Sequence, residues 1–143
     1  MISEEFKGIV EKSLTITGYS LSDYFADMLD VIIRKSQQGV YVRLYVNDME
    51  KQKSALDRLM AYKSRFLQVY EYQKQEDDKM AALHAKLLVS DAKKSLVSSA
   101  NLSYHGMQGN VEMGFLIESS EKAKQIEEVM KEMVRMKVFV KHP

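Results

Sequence analysis

The sequence predicts an α/β fold in which a mixed β-sheet is sandwiched between helices. Strand-like and helix-like segments alternate through the first half of the chain. Short strand-like segments separated by turn residues fill the second half, up to a closing amphipathic helix. Taken in order, Ile2, Phe6, Ile9 and Val10 stand at helical spacing and predict a short N-terminal helix over residues 2–11. Ser13–Gly18 reads as the first strand. Ser20 and Asp23 predict a capping box for a helix that carries Phe25, Met28, Leu29, Ile32 and Ile33 on one face and closes at Gly39. Val40–Val46 is β-branched and aromatic and predicts the second strand, followed by a helix marked by Ala55, Leu56, Leu59 and Met60. Phe66–Tyr72 predicts a third strand, and the polar run Gln73–Lys79 an exposed loop. Leu83–Ser90, Ser95–Ala100 and Asn110–Ile117 read as three further strands. Ile126, Val129, Met130, Met133 and Val134 predict a final helix whose outer face pairs Glu127 with Lys131.

Length and composition bound what this architecture can do. With 143 residues, 45% of them hydrophobic, one proline and six glycines, the expectation is a single domain over 1–143 with no linker and no repeat array. The absence of cysteine excludes disulfides, thiolate metal sites and cysteine nucleophiles. Acidic residues stand near the N-terminus where a signal peptide needs a basic start. No apolar run approaches the roughly 18 residues of a membrane span, so the expected location is the cytoplasm, with no membrane partner. Lys and Arg total 21 against 20 Asp and Glu, so any basic surface must be local.

The chemistry is written between Leu83 and Glu118, where polar residues interrupt strands that should bury aliphatic side chains. Alternation puts His84 and Lys86 on one face of their strand, with Leu87 and Val89 on the other. In the next strand Val97, Ser99 and Asn101 share a face, and in the one after it Glu112 shares a face with Gly114. Were these strands neighbours, His84, Lys86, Ser99, Asn101 and Glu112 would converge on one patch. Asp91 has the opposite parity to His84 and Lys86 and is expected to hold the hairpin turn. Such a set suits phosphoryl transfer. The imidazole is the nucleophile, while the ammonium, hydroxyl and amide hold the nonbridging oxygens of a phosphodiester. A glutamate beside the ring would fix its tautomer.

His84-Ala85-Lys86, four residues, Asp91, six residues, then Ser98-Ser99-Ala100-Asn101 resembles the H-x-K-x4-D-x6-G-S-x-N signature of the phospholipase D superfamily. Glu112, eleven residues after Asn101, resembles that family's downstream acidic residue. Five fixed positions would coincide at these spacings only about once in a few million windows. The chain departs from the pattern at Ser98, where the family usually has glycine.

The resemblance implies a phospholipase D/nuclease-like fold and a mechanism without cofactor or metal. It also implies two copies of the motif, whereas this chain carries one, so a homodimer is expected. In it, His84 of one subunit forms a phosphohistidine, its twin is the general acid, and Lys86, Ser99 and Asn101 clamp the phosphate. The implied activity is that of a nuclease acting on DNA or RNA, with a larger defence or restriction complex as a further partner. Two alternatives stay open: a phospholipase or phosphatidyl-transfer enzyme, which would need an apolar entry surface, and a catalytically weak nucleic-acid-binding module.

Outside the motif, His105 is expected to be exposed in its loop, and His142 stands beside the last residue. Lys93 and Lys94 occupy the turn after Asp91 and read either as contacts to a nucleic-acid backbone or as a solvated hairpin tip. The ten methionines are expected to fill the core and pack a dimer.

Overall fold

The computed structural model describes residues 12–18, 26–47, 49, 53–62, 65–73, 83, 86–98 and 113–142. The elements are β1 (Ser13–Gly18), α1 (Ala26–Gln37), β2 (Tyr41–Val46), α2 (Lys53–Ala61), β3 (Leu67–Tyr72), β4 (Leu87–Ser90), β5 (Lys94–Ser98), β6 (Gly114–Glu118), α3 (Ser120–Arg135) and β7 (Phe139–Lys141). The expected N-terminal helix, the Ser20 and Asp23 capping box and nearly all of the polar loop after Gln73 lie outside the described residues.

The strands form one seven-stranded sheet in the order β6-β5-β4-β1-β2-β3-β7. β1, β2 and β3 run parallel, which the helical crossovers between them require. β4, β5, β6 and β7 are antiparallel to their neighbours, so the sheet is mixed, as the sequence predicts. β1 lies between the two halves, and its residues from Leu14 to Gly18 are all buried.

Helices cover both faces of the sheet. Leu29 and Ile32 of α1 and Leu56 and Leu59 of α2 pack on Leu14, Ile16, Val42, Leu44, Val46 and Val69 to form an aliphatic core. On the other face, Met130 of α3 packs with Tyr45, Tyr70, Phe139 and Leu83. The Tyr45 and Tyr70 rings stack with centroids 4.9 Å apart, and Phe139 meets Tyr45 edge-on.

Local signals explain the ends of the elements. Gly39 adopts φ 88 just after α1, a left-handed conformation that closes the helix at little cost only in glycine. Ser119 caps α3 by accepting from the Lys122 N–H at 3.2 Å. β7 follows α3 after a left-handed Lys137 at φ 62 and pairs with β3.

Three sequence expectations change on the α3 side. β7 was not anticipated. Ala123, Glu127 and Met130, spaced by four and three residues, face the sheet, so Glu127 is buried and Val129 is exposed. Lys131 reaches Glu128, at 3.7 Å, rather than Glu127. The apolar stripe on α3 is therefore rotated relative to the one its hydrophobic residues suggest, and the stem of Glu127 supplies part of the packing.

Candidate active site

Four of the residues singled out by the motif, His84, Ser99, Asn101 and Glu112, lie outside the described residues, as does His105. The structure places the segments that bracket them. β4, β5 and β6 are consecutive antiparallel neighbours, with Leu87 opposite Val97 and Val97 opposite Phe115. Beyond the first pair, the Ser98 N–H donates to the Lys86 carbonyl at 3.0 Å. This bond locks the H-x-K stretch to the start of S-S-x-N across the hairpin. Strict alternation carried further would put Lys86 on one face and Ser99 and Asn101 on the other. The described ladder ends at this point, so strand parity alone does not bring them together.

Asp91 sits in the turn between β4 and β5, where Asp91 and Ala92 both have positive φ, 55 and 52, and the Lys93 N–H closes on the Ser90 carbonyl. Its carboxylate accepts from the backbone N–H groups of Lys12 at 2.6 Å and Ser13 at 3.0 Å. Aspartate suits the position twice over. It tolerates the left-handed conformation better than most residues, and it supplies a charged acceptor that fastens the hairpin to β1.

Ser98, which replaces the usual glycine, is opposite Gly114. A Cβ at 114 would lie 3.2 Å from the Ser98 Cβ and 3.2 Å from the Val97 carbonyl oxygen. The bulk added at 98 is thus met by a missing side chain on the neighbouring strand.

Two residues absent from the sequence reading hold the segment that carries His84 and Lys86. Thr17, near the end of β1, accepts from the Leu87 N–H through Oγ1 at 2.8 Å. Asn47, just past β2, accepts from the Leu83 N–H through Oδ1 at 3.2 Å. Leu83 is itself buried in the α3-side core. The segment is therefore anchored at both ends, at the carboxyl ends of two parallel strands, where open α/β sheets place their ligand sites. Nearby, burial pushes the Tyr45 phenol well above its ordinary pKa. Tyr70 and Glu127 add to this, and Arg43 opposes it. Among the described residues, no cluster of three His, Asp or Glu side chains could hold a metal ion. Nor is any described helix long and apolar enough to cross a membrane.

The sheet is covered by helices on both faces, and its β4–β5 hairpin, with Lys86 just before it, carries Asp91 and Ser98 of the motif that resembles the phospholipase D superfamily's. The chain belongs to that family: the family described as "Cardiolipin synthase, PLD-like domain" matches residues 9–134. It is 31% identical over 133 residues to the DISARM protein DrmC of Bacillus paralicheniformis, covering 92% of this chain and 54% of that protein. The chain thus spans about half the length of that relative. Among solved structures, the fold is shared with the phospholipase D family member Nuc from Salmonella typhimurium at TM-score 0.76, with 15% identity over 99% of this chain and 88% of that one. It is also shared with NucT from Helicobacter pylori, at TM-score 0.72 and 17% identity over 92% of this chain and 84% of that one.

Proposed function

We propose that the chain is a phosphodiesterase that cleaves DNA or RNA through a phosphohistidine on His84, working as a cytoplasmic homodimer of one-motif domains. The observation that carries this reading is the motif spacing on a phospholipase D-like fold, with Lys86 tied by its backbone to Ser98.

In this scheme an imidazole nitrogen of His84 attacks phosphorus. The bond from phosphorus to the leaving oxygen breaks, and His84 of the partner subunit gives that oxygen a proton. Water then attacks the phosphohistidine, gives its proton to the same partner histidine, and the phosphorus–nitrogen bond breaks. Lys86, Ser99 and Asn101 hold the nonbridging oxygens, Glu112 orients an imidazole, and Asp91 keeps the hairpin in place. The charge that develops at phosphorus is met by these side chains, so the scheme calls on no metal ion or cofactor.

Dimerisation is supported by a row of exposed apolar side chains beside the motif strands: Val97, its partner Phe115, and Met113, which is 75% exposed. The same row favours a second reading, in which an acyl chain lies there and the enzyme transfers a phosphatidyl group. The similarity to a protein named for DISARM supports a place in a larger defence or restriction complex.

Incubation with labelled single- and double-stranded DNA, RNA and phosphatidylcholine vesicles in excess EDTA tests the reading. Nucleic-acid cleavage is expected, together with a loss of about a thousandfold or more in His84→Ala. Parental rates in that variant would remove the nucleophile, products from the vesicles alone would establish the second reading, and sedimentation equilibrium would show the dimer.

A further inference from the structure

The end of the sheet opposite Lys86 and Ser98 carries an arrangement that the proposed chemistry does not use. Lys12 precedes β1, Tyr41 opens β2, and Arg65 and Phe66 precede β3. The Tyr41 N–H donates to the Lys12 carbonyl at 3.0 Å, and the Val42 N–H donates to the Phe66 carbonyl at 2.7 Å. Lys12 also lies against the Asp91 turn, which carries Lys93 at its tip. Lys93, Lys12, Tyr41 and Arg65 therefore follow one another along the rim of neighbouring strands. At about 4.8 Å per strand, the rim from the turn to β3 is roughly 15–20 Å long.

Its side chains are of two kinds. Lys12, Arg65 and Lys93 are exposed cations. Tyr41, 44% exposed, lies with its ring centroid 4.8 Å from that of Phe66, and the Arg65 guanidinium covers the Phe66 ring at 4.8 Å. Two carboxylates at this end are already engaged: Asp91 with two backbone N–H groups, and Glu118 with Lys94 at 3.7 Å. In a chain whose charges balance to +1, the described residues here form a local excess of positive charge beside an exposed aromatic step.

We infer that this rim binds single-stranded nucleic acid beyond the cleavage site, with phosphates on Lys12, Lys93 and Arg65 and a base on the exposed face of Tyr41. The inference rests on the nucleic-acid reading above and adds the form of the substrate. Cations alone would accept any polyanion. A stacking aromatic rewards a strand whose bases are unpaired, because a duplex keeps its base faces covered. The motif flanks and the rim are separated by the length of a six-residue strand, about 20 Å, so only a strand long enough to pass from one to the other engages both.

The test compares the parent with Tyr41→Ala/Arg65→Ala and with Lys93→Glu. Fluorescence anisotropy, in a His84→Ala background that removes cleavage, follows binding of oligothymidylates of about 16 and about four nucleotides, near the extremes of known site sizes. Turnover of bis(4-nitrophenyl) phosphate by the His84 forms reads the catalytic site alone. The Tyr41→Ala/Arg65→Ala double substitution should weaken the long oligonucleotide about tenfold, and Lys93→Glu should flatten its salt dependence by about one phosphate contact. The short oligonucleotide and the small diester should be unaffected.

Unchanged binding of the long strand in both variants would overturn the inference. So would an equal loss on a duplex of the same length, which assigns the rim to charge alone, or lost turnover of the small diester, which assigns the residues to folding. If the parent cleaves neither diester nor nucleic acid while the rim variants still weaken binding, the nuclease reading fails and the rim stands.

Discussion

Beneath α1 and α2 the sheet presents Leu14, Ile16, Val42, Leu44, Val46 and Val69, buried aliphatic side chains with no polar atom to satisfy. Beneath α3 it presents Tyr45, Tyr70 and Phe139 in ring contact, together with Thr15 and Ser95. The hydroxyls of Thr15 and Ser95, like one carboxylate oxygen of Glu127, are buried and have no hydrogen-bond partner among the described residues. Leu83 and Leu87, which bracket the H-x-K stretch in the sequence, pack on this second face. The contrast assigns different work to the two sides. The aliphatic face supplies most of the dry packing, and the aromatic face, less fully satisfied, holds the segment on which the chemistry is proposed to depend.

The largest expected effects divide the faces directly. Leu44→Ala, at a fully buried site, should cost about 4 kcal/mol in urea denaturation while leaving diester turnover per folded molecule unchanged. Leu83→Ala should cost less, about 2–3 kcal/mol, yet lower that turnover about tenfold, because it loosens the segment held by Asn47. Equal turnover losses in the two variants would erase the division of labour.

A smaller effect comes from Tyr45. Because its folded-state pKa is raised, the folded protein keeps a proton that the unfolded chain releases near pH 10, so stability falls as pH rises through that value. Between pH 9 and pH 11 the loss should be about 1.4 kcal/mol, and Tyr45→Phe should remove it, as read from thermal melts across that range. Smallest is Glu127→Leu, which replaces a buried and incompletely satisfied carboxylate with an apolar side chain. A gain of about 1 kcal/mol in the same melts is expected, and a loss would mean that the polar atoms of this face are better satisfied than they look.

The same asymmetry governed what could be read from the sequence. β1, β2 and β3 are legible because β-branched and aromatic runs suit strands buried on both faces. β7 was missed because Phe139–Lys141 is too short to display a period of two. Apolarity alone does not tell that Met113 and Phe115 are exposed, as they are beside the edge strand of the described sheet. Glu127 was assigned to solvent by its charge, although helix geometry turns it toward the sheet. The motif itself was legible as spacing. Its supports, Thr17 and Asn47, were not, since they act across 70 and 36 residues and a hydrogen bond over that separation leaves no local pattern.

The position of β1 has a consequence for how the molecule is made. Its parallel partner β2 is available as soon as the first part of the chain has emerged during synthesis, but β4, which covers its other side, arrives only with Leu87–Ser90. Until then a buried-type strand keeps an open flank of unpaired backbone groups, the kind of template that invites pairing with another nascent chain. When the late hairpin docks, Asp91 takes the amides of Lys12 and Ser13, so one turn both closes that flank and sets the motif segment beside its supports. In the proposed reading, the step that closes this flank of β1 is thereby also the step that readies the motif segment for chemistry.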